Sequence, residues 1–366
     1  MGGTMKQGTR DYVLITGGAG FVGSNLADAL LRDGARVVVA DNFSRAGVRL
    51  NAAWLRASHG DRVRIENVDV ADAPRIAALV RGARQVYHLA AQVAVTTSLV
   101  DPALDLSTNI MGTFNVLEAA RAMPNPPAIL FTSTNKVYGG MDEVPVELGE
   151  NGYRYSSGWS GVGEGQPLDF HSPYGCSKGA ADQYVHDYAR IFDLKTVVFR
   201  MSCIYGTRQF GTEDQGWVAH FARAILAGEP LTIYGDGHQV RDVLWIDDLV
   251  RAMRLAMDRI DTVAGQVFNI GGGERNSVSV RGVIDRLQEI TGVDARVTMA
   301  DWRPGDQRIY VSDTARIEKV LGWRAETSWK AGLEKLVAWL DEAKLDTTLP
   351  LLDVGGEVVS AGVRGS

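Results

Sequence analysis

From Tyr12 to about Arg200, short runs of β-branched and aliphatic residues alternate with longer amphipathic segments. This alternation constrains the fold more than any other feature. It is the pattern of parallel strands joined by crossover helices, because a parallel connection needs enough chain to return to the same end of the sheet. The runs predict strands at Tyr12–Thr16, Arg36–Ala40, Val63–Asn67, Gln85–Leu89, Ala128–Thr132 and Lys195–Arg200. Between them the spacing predicts helices at Phe21–Asp33, Ala73–Arg81, Leu106–Met123 and Ser172–Phe192. Val37-Val38-Val39 and Ile129-Leu130-Phe131 are apolar without alternation, as a sheet covered on both faces requires. The expected class is α/β, a Rossmann-like doubly wound parallel sheet.

Beyond Arg200 the order loosens, with helices expected at Ile246–Ile260, Val280–Thr291 and Ser328–Lys344. The resulting division assigns residues 11–200 and about 240–262 to a dinucleotide-binding domain. Residues of about 201–239 and 263–345 form a smaller C-terminal substrate lobe over the carboxyl ends of the strands, where open α/β sheets bind ligands. Residues 346–366 read as a peripheral tail. Gly139–His171 carries little periodicity and is long enough to be expected as a lid or binding loop. The chain of 366 residues can bury a large core without covalent staples. Its two cysteines, Cys176 and Cys203, make no disulfide framework, and no Cys/His cluster has metal-ligand spacing. A net charge of −6 argues against an electrostatic nucleic-acid or anionic-membrane binder, so any anionic ligand must be met by local arginines. No apolar run has the length of a membrane span, and the first residues lack the apolar stretch of a secretory signal; the expected location is cytoplasmic.

Thr16-Gly17-Gly18-Ala19-Gly20-Phe21-Val22-Gly23 follows the first predicted strand and opens the first helix. Gly17, Gly20 and Gly23 allow a tight turn, close approach of a pyrophosphate to backbone N–H groups, and close helix–strand packing, with Phe21 and Val22 in the same turn. Alone the motif is weak. It gains weight because the second strand leads into Asp41-Asn42, with Ser44 just beyond, where a carboxylate can accept ribose hydroxyls. Asp69-Val70 and Leu89-Ala90-Ala91-Gln92 stand at the next two carboxyl ends. Thr132 and Met201, at the ends of the fifth and sixth runs, complete the residues expected along the cofactor. Asp41 would repel a 2′-phosphate and favours NAD, while Arg45 could pair with that phosphate and keeps NADP open.

Tyr174 and Lys178 stand four residues apart at the start of a predicted helix, just after Pro173. A tyrosine is a poor base at neutral pH, and an adjacent ammonium together with the positive charge of an oxidised nicotinamide favours its phenolate. The spacing is common on ordinary helix surfaces; it gains meaning downstream of a dinucleotide fingerprint. Ser133 and Thr134 close the fifth strand with Thr132, and Thr134 is the candidate partner for the reacting hydroxyl in a Thr134/Tyr174/Lys178 triad.

Together these residues resemble the extended short-chain dehydrogenase/reductase family, specifically its nucleotide-sugar epimerases and dehydratases. The landmarks run from Gly17–Gly23 and Asp41-Asn42 through Asn109, Thr134 and Tyr174/Lys178 to Tyr205-Gly206 and Arg241-Asp242. The strings 133–139, 171–183, and Arg208-Gln209-Phe210 with Asp214-Gln215-Gly216-Trp217 narrow the resemblance to epimerases acting at C2. It implies NAD as a recycled cofactor, a nucleotide-diphosphate sugar as substrate, transient oxidation to a 2-keto sugar, and return of hydride to the opposite face. The dehydratases of the family carry Asp-Glu where this chain has Asn135-Lys136, which disfavours dehydration. The triad alone does not separate C2 from C4, so a 4-epimerase stays open; a net dehydrogenase and a non-catalytic NAD-binding protein are further alternatives. Ser133, Thr134, Arg208, Gln209, Trp217, Arg241 and Arg303 are the expected substrate contacts; the resemblance puts Arg241 and Arg303 at the diphosphate, and Trp217 can wall the base. Many relatives have Asn where this chain has Cys203, so its grip on the diphosphate must differ. The resemblance also implies a homodimer or homotetramer built on the helices of Leu106–Met123 and Ser172–Phe192.

Overall fold

The computed structural model describes residues 11–45, 47–156, 158–303 and 306–343, and the backbone of 351–352 and 358–359. The expected tail, 346–366, lies outside the described residues except for Leu351–Leu352 and Val358–Val359, which pair antiparallel.

Seven parallel strands form the central sheet. The first five are β1 (Tyr12–Thr16), β2 (Val37–Asp41), β3 (Val63–Asn67), β4 (Ala83–His88) and β5 (Ala128–Thr134). The sheet order is Gln266–Ile270, Thr196–Met201, β5, β4, β1, β2, β3, so the chain winds outward from β1 in both directions. Successive residues feed opposite faces. Val13 and Ile15 of β1, Val37 and Val39 of β2, and Leu130 of β5 enter one apolar cluster, while Leu14, Val38, Ile129 and Phe131 enter another. Helices α1 (Phe21–Arg32) and α2 (Val48–His59), with Ile246–Asp258, cover the first face. The helices α3 (Ala73–Gly82), Gly112–Arg121 and Ser172–Phe192 cover the second. Residues of the later segments, among them Phe221, Ile284 and Leu336, join the first cluster, so these segments share one core with the sheet.

Most predicted elements appear within a few residues of their expected bounds, and the differences have physical causes. β5 runs on to Thr134 because Ser133 and Thr134 pair with Arg200 and Met201 of the neighbouring strand. The helix expected from Leu106 opens with a wide π turn, Leu106–Met111, before Gly112–Arg121. Gly112 is required there: a Cβ would come within 2.5 Å of Val70 Cγ2. The seventh strand, Gln266–Ile270, falls in the stretch assigned to the smaller lobe, and its pairing with Thr196–Met201 puts it in the sheet instead. Conversely, Val240–Trp245, assigned to the sheet domain, pairs with strands at Cys203–Tyr205, Ser277–Ser279 and Ile309–Tyr310 in a separate small sheet.

Gly139–His171, expected as a lid or binding loop, is held along most of its length by pairing with distant segments. Strands Val146–Gly149 and Gly152–Tyr155 form a hairpin, whose Tyr153 and Tyr155 pack on Val240, Ile309 and Val311. Further on, Val162 N donates to Val311 O at 2.8 Å and Asn269 N donates to Glu164 Oε1 at 2.7 Å. Backbone groups committed in this way hold the segment as a strap.

Asp182 and Arg200 tie the Ser172–Phe192 helix to the sheet through two hydrogen bonds of 2.9 Å, with Asp182 fully buried and the Arg200 side chain 5% exposed. Removing one partner leaves the other charge buried and unpaired. Asp182→Ala is therefore expected to cost about 3–5 kcal/mol in urea unfolding; a loss below about 1 kcal/mol would show that water or another group already satisfies Arg200.

Candidate active site

Three residues at successive turns of the Ser172–Phe192 helix meet the carboxyl half of the sheet. Pro173 sits in its first turn, where a missing N–H costs nothing. Tyr174 comes next and is buried, hydrogen-bonded to Thr134 at the end of β5. One turn later Lys178 Nζ donates to Thr132 O at 2.6 Å and lies 4.2 Å from the centroid of the Phe131 ring. A turn beyond is Asp182, in its pair with Arg200. The structure thus brings together the three residues expected as a triad. Burial pushes the Lys178 ammonium down to about 7, Asp182 opposing the shift. Burial also raises the Tyr174 phenol: desolvation is the largest cause of the shift, and the Thr134 hydrogen bond is what opposes it.

A buried polar network supports this face. Asn109 Nδ2, inside the π turn, donates to Ser177 Oγ at 2.8 Å and Gln92 O at 3.1 Å. Ser177 Oγ and Gln92 Nε2 both donate to Asp105, at 3.2 Å and 2.8 Å. His88 bridges Thr16 Oγ1 at 2.7 Å and Thr113 Oγ1 at 3.0 Å, and burial pushes it down to about 3, so it stays neutral.

The glycine turn forms a cradle that only glycine can line. Gly17 has φ of +65°, and a Cβ there would lie 2.7 Å from Ala90 N; at Gly23 a Cβ would lie 2.5 Å from Gly17 O. Gly20 caps α1, with Phe21 and Val22 in the first turn. At the next strand end Asp41 accepts from Ala19 N at 3.1 Å and Phe43 N at 2.9 Å, and burial raises its carboxyl. Asn42 links to Asp69 at 2.8 Å and accepts from Ser44 N at 3.1 Å. Leu89, Ala90 and Ala91 follow β4 as expected, with Leu89 N bonded to Thr16 O at 3.1 Å. Gln92 is turned to the network under Tyr174. Val70 is buried against Gly112, and Met201 pairs with Thr134 across the sheet. Arg45 donates to Gln215 Oε1, across from the strand end that carries Asp41. Open backbone N–H groups at a helix start, glycines where a Cβ would intrude and a carboxylate at the second strand end fit a dinucleotide.

Beside the cradle lies a cavity of about 570 Å³ whose wall includes Thr134, Tyr174, Trp217, Arg241 and Arg303. That volume suits a small organic ligand. Arg241 donates to Val240 O at 2.8 Å and Gln307 O at 2.7 Å, which fixes its guanidinium. Arg303 lies 3.7 Å from the Tyr234 ring centroid and 3.4 Å from Asp214. Three expected substrate contacts are not brought to this wall. Arg208 lays its guanidinium over Trp54 at 3.9 Å and near Trp339 at 5.9 Å. Gln209 Nε2 donates to Ile204 O at 3.3 Å. Ser133 faces the opposite side of β5 from Thr134, as strand alternation requires, and its Oγ is buried with no hydrogen-bond partner among the described residues. Sequence reasoning missed the Lys136–Asp306 pair on the wall, Nζ to Oδ1 3.7 Å, although Lys136 stands only two residues beyond Thr134. Among the described residues no group of three or more His, Cys, Asp or Glu is placed to hold a metal ion, and no helix is long and apolar enough to cross a membrane.

The chain is similar to known proteins along nearly its whole length. It is 42% identical over 338 residues to CDP-paratose 2-epimerase from Salmonella typhi, covering 89% of this chain and 98% of that protein. Among solved structures, UDP-glucose 4-epimerase from Thermus thermophilus, in complex with NAD, matches with a TM-score of 0.76 and 32% identity, over 91% of this chain and 99% of that one. UDP-glucuronic acid 4-epimerase from Bacillus cereus, in complex with UDP-glucuronic acid and NAD, matches with a TM-score of 0.78 and 29% identity, over the same shares. A family model described as GDP-mannose 4,6 dehydratase matches residues 14–336. With this match joined to the dinucleotide cradle and the Thr134/Tyr174/Lys178 cluster, the chain belongs to the GDP-mannose 4,6 dehydratase family of extended short-chain dehydrogenase/reductases.

Proposed function

We propose that this protein is an NAD-dependent isomerase that epimerises a nucleotide-diphosphate sugar at C2, converting a CDP-paratose-type substrate to the CDP-tyvelose type. The observation that carries the reading is the 42% identity to a CDP-paratose 2-epimerase across almost the full length of both chains. Thr134 and Tyr174 on the cavity wall, with Arg241 and Arg303 along it, agree with that reading. Gly17, Gly20, Phe21, Val22 and Gly23 would hold the pyrophosphate of NAD, and Asp41 its adenosine ribose. Asp41 and Arg45 bear on NAD against NADP; Arg45 is engaged by Gln215 and Asp41 remains at the strand end, which supports NAD.

When bound, NAD would supply reversible hydride acceptance at the reacting carbon. The work of the chain is proton handling and restraint. Tyr174 accepts the proton of the reacting hydroxyl and returns it after inversion; Thr134 hydrogen-bonds the same oxygen, and Lys178, anchored on Thr132 O, supplies the cation that favours the phenolate as the proton moves. The sugar is oxidised to a ketone and reduced again, so no net redox change remains. Inversion needs only that the ring turn while its diphosphate stays held. Dehydration would need a further acid and base, and at those positions the chain has Asn135, an amide that cannot release a proton, and Lys136. A 4-epimerase would use the same groups, and the likeness to two 4-epimerase structures keeps that reading in the test.

The exposed side chains of Met111, Phe114, Tyr184 and Ile191 lie on the two helices expected at a subunit interface, with the Phe114 and Tyr184 rings 6.4 Å apart. They support a homodimer built on this face. NAD and nucleotide sugars are cytoplasmic metabolites, and Cys176 and Cys203 are both unpaired thiols, which supports a cytoplasmic location.

Incubation with CDP-paratose, and in parallel with UDP- and GDP-hexoses, in deuterated water is expected to give inversion at C2 of CDP-paratose without solvent deuterium at that carbon. Deuterium there would replace hydride return by deprotonation beside a ketone, and inversion of a hexose at C4 would establish the alternative. Tyr174→Phe is expected to lower kcat by at least about 100-fold with NAD still co-purifying; retained turnover removes Tyr174 from the reaction. Phe114→Glu with Tyr184→Glu is expected to give monomers in sedimentation, and an unchanged mass would place any interface elsewhere.

A further inference from the structure

The cavity wall holds a cation that the reaction scheme leaves unused. Lys136 stands on a single turn of 3-10 helix, Asn135–Tyr138, directly after β5. Its backbone N donates to Thr134 Oγ1 at 3.2 Å, which locks its position relative to the group that meets the reacting hydroxyl. Its ammonium faces Asp306 at 3.7 Å, and Asp306 in turn lies 4.0 Å from the Arg241 guanidinium. One carboxylate thus faces two cations on this stretch of wall. Burial and the nearby Arg241 both push the Lys136 ammonium below its usual range, a shift that an incoming anion would reverse. Cys203 lines the same stretch, and burial raises its thiol, so it stays neutral and brings no charge. The other cation of the wall, Arg303, is drawn toward Glu213 and Asp214, at 3.8 Å and 3.4 Å.

The chemistry of the substrate class makes this placement informative. In a nucleotide-diphosphate sugar, C1 carries the sugar-proximal phosphate through one oxygen. C2 is bonded directly to C1, while C4 lies across the ring. For a C2 hydroxyl to meet Tyr174 and Thr134, the sugar-proximal phosphate must sit close beside them; for a C4 hydroxyl it must sit a ring's width away. The cation nearest to Thr134 in the chain is Lys136.

Resting on the epimerase reading above, we propose that Lys136 Nζ binds the sugar-proximal phosphate and thereby sets C2 as the carbon presented to Tyr174. Lys136 is in this sense the specificity-determining residue of the site, and it supplies the charge that Cys203 cannot. Arg241 and Arg303 hold the remainder of the diphosphate farther along the wall.

Binding of CDP and of CMP to wild-type protein, Lys136→Met and Lys136→Arg, measured by titration calorimetry, separates the possibilities because only CDP carries the second phosphate. Lys136→Met is expected to weaken CDP by at least about tenfold while CMP changes by less than about twofold, as loss of one charge-assisted contact predicts. Lys136→Arg keeps most of the CDP affinity, and with CDP-paratose the loss in Lys136→Met falls on KM more than on kcat. Equal losses for CDP and CMP, or unchanged CDP binding with a collapse of kcat, overturn the proposal; the second result would make Lys136 an acid–base group. Wild-type protein that binds neither nucleotide overturns the functional reading itself, and the phosphate role with it. Thermal unfolding of both variants near the wild-type midpoint shows that the differences arise at the site.

Discussion

The short contact from Lys178 Nζ to Thr132 O is the constraint on which the rest of the site depends. It joins the helix that carries Tyr174 to the strand that carries Thr134, and it does so with a charged group in a place where water is excluded. A buried ammonium is costly unless it is well partnered. Here the cost is offset by the Thr132 carbonyl, by the face of Phe131 and by Asp182 one turn away. Asp182 carries the same face of the helix onward to Arg200 in the neighbouring strand. One helical stripe therefore grades from the buried phenol of Tyr174, through anchorage at Lys178, to a structural ion pair at Asp182. Sliding the helix by a turn would break all three at once.

Charge in this protein is a matter of placement. Its overall balance is acidic, yet the wall of the cavity carries Lys136, Arg241 and Arg303, each facing a carboxylate that can yield to a diphosphate. Such pairs keep the cations solvated or partnered before ligand arrives, and they avoid a basic surface that would attract nucleic acid. The Gly211–Trp217 segment contributes to both compartments. Gln215 takes the Arg45 guanidinium just beyond the Asp41 strand end, while Glu213 and Asp214 face Arg303 on the other side.

What could be read in the chain was what depends on local pattern. The β1 run, the glycine turn behind it, Asp41 at the next strand end, and the Tyr174/Lys178 pair all declare themselves within a few residues, and the structure brings Thr134 to them. Features set by distant pairing were illegible. Gln266–Ile270 is only five residues long, and its place in the sheet is decided by Thr196–Met201, some seventy residues earlier. Arg208 looked like a phosphate ligand because its side chain has that capacity, but two tryptophans far apart in the chain, Trp54 and Trp339, close around it. The strap of Gly139–His171 looked unstructured because its partners, Val311 and Asn269, come late in the sequence. The Lys136–Asp306 pair spans a similar distance, and only three-dimensional proximity gives Lys136 its meaning.

The late arrival of the seventh strand bears on how the protein is made. Until Ile270 has emerged from the ribosome, Thr196–Met201 remains an open parallel edge, and the strap around Val162 still lacks the Val311 backbone that secures it. An open apolar edge is a template for pairing with other chains. The central sheet draws on strands from Tyr12 to Ile270, so no cut before Ile270 leaves that sheet whole on one piece. The last strand of the sheet and the Val311 anchor of the strap thus both depend on chain made after the Tyr174 helix.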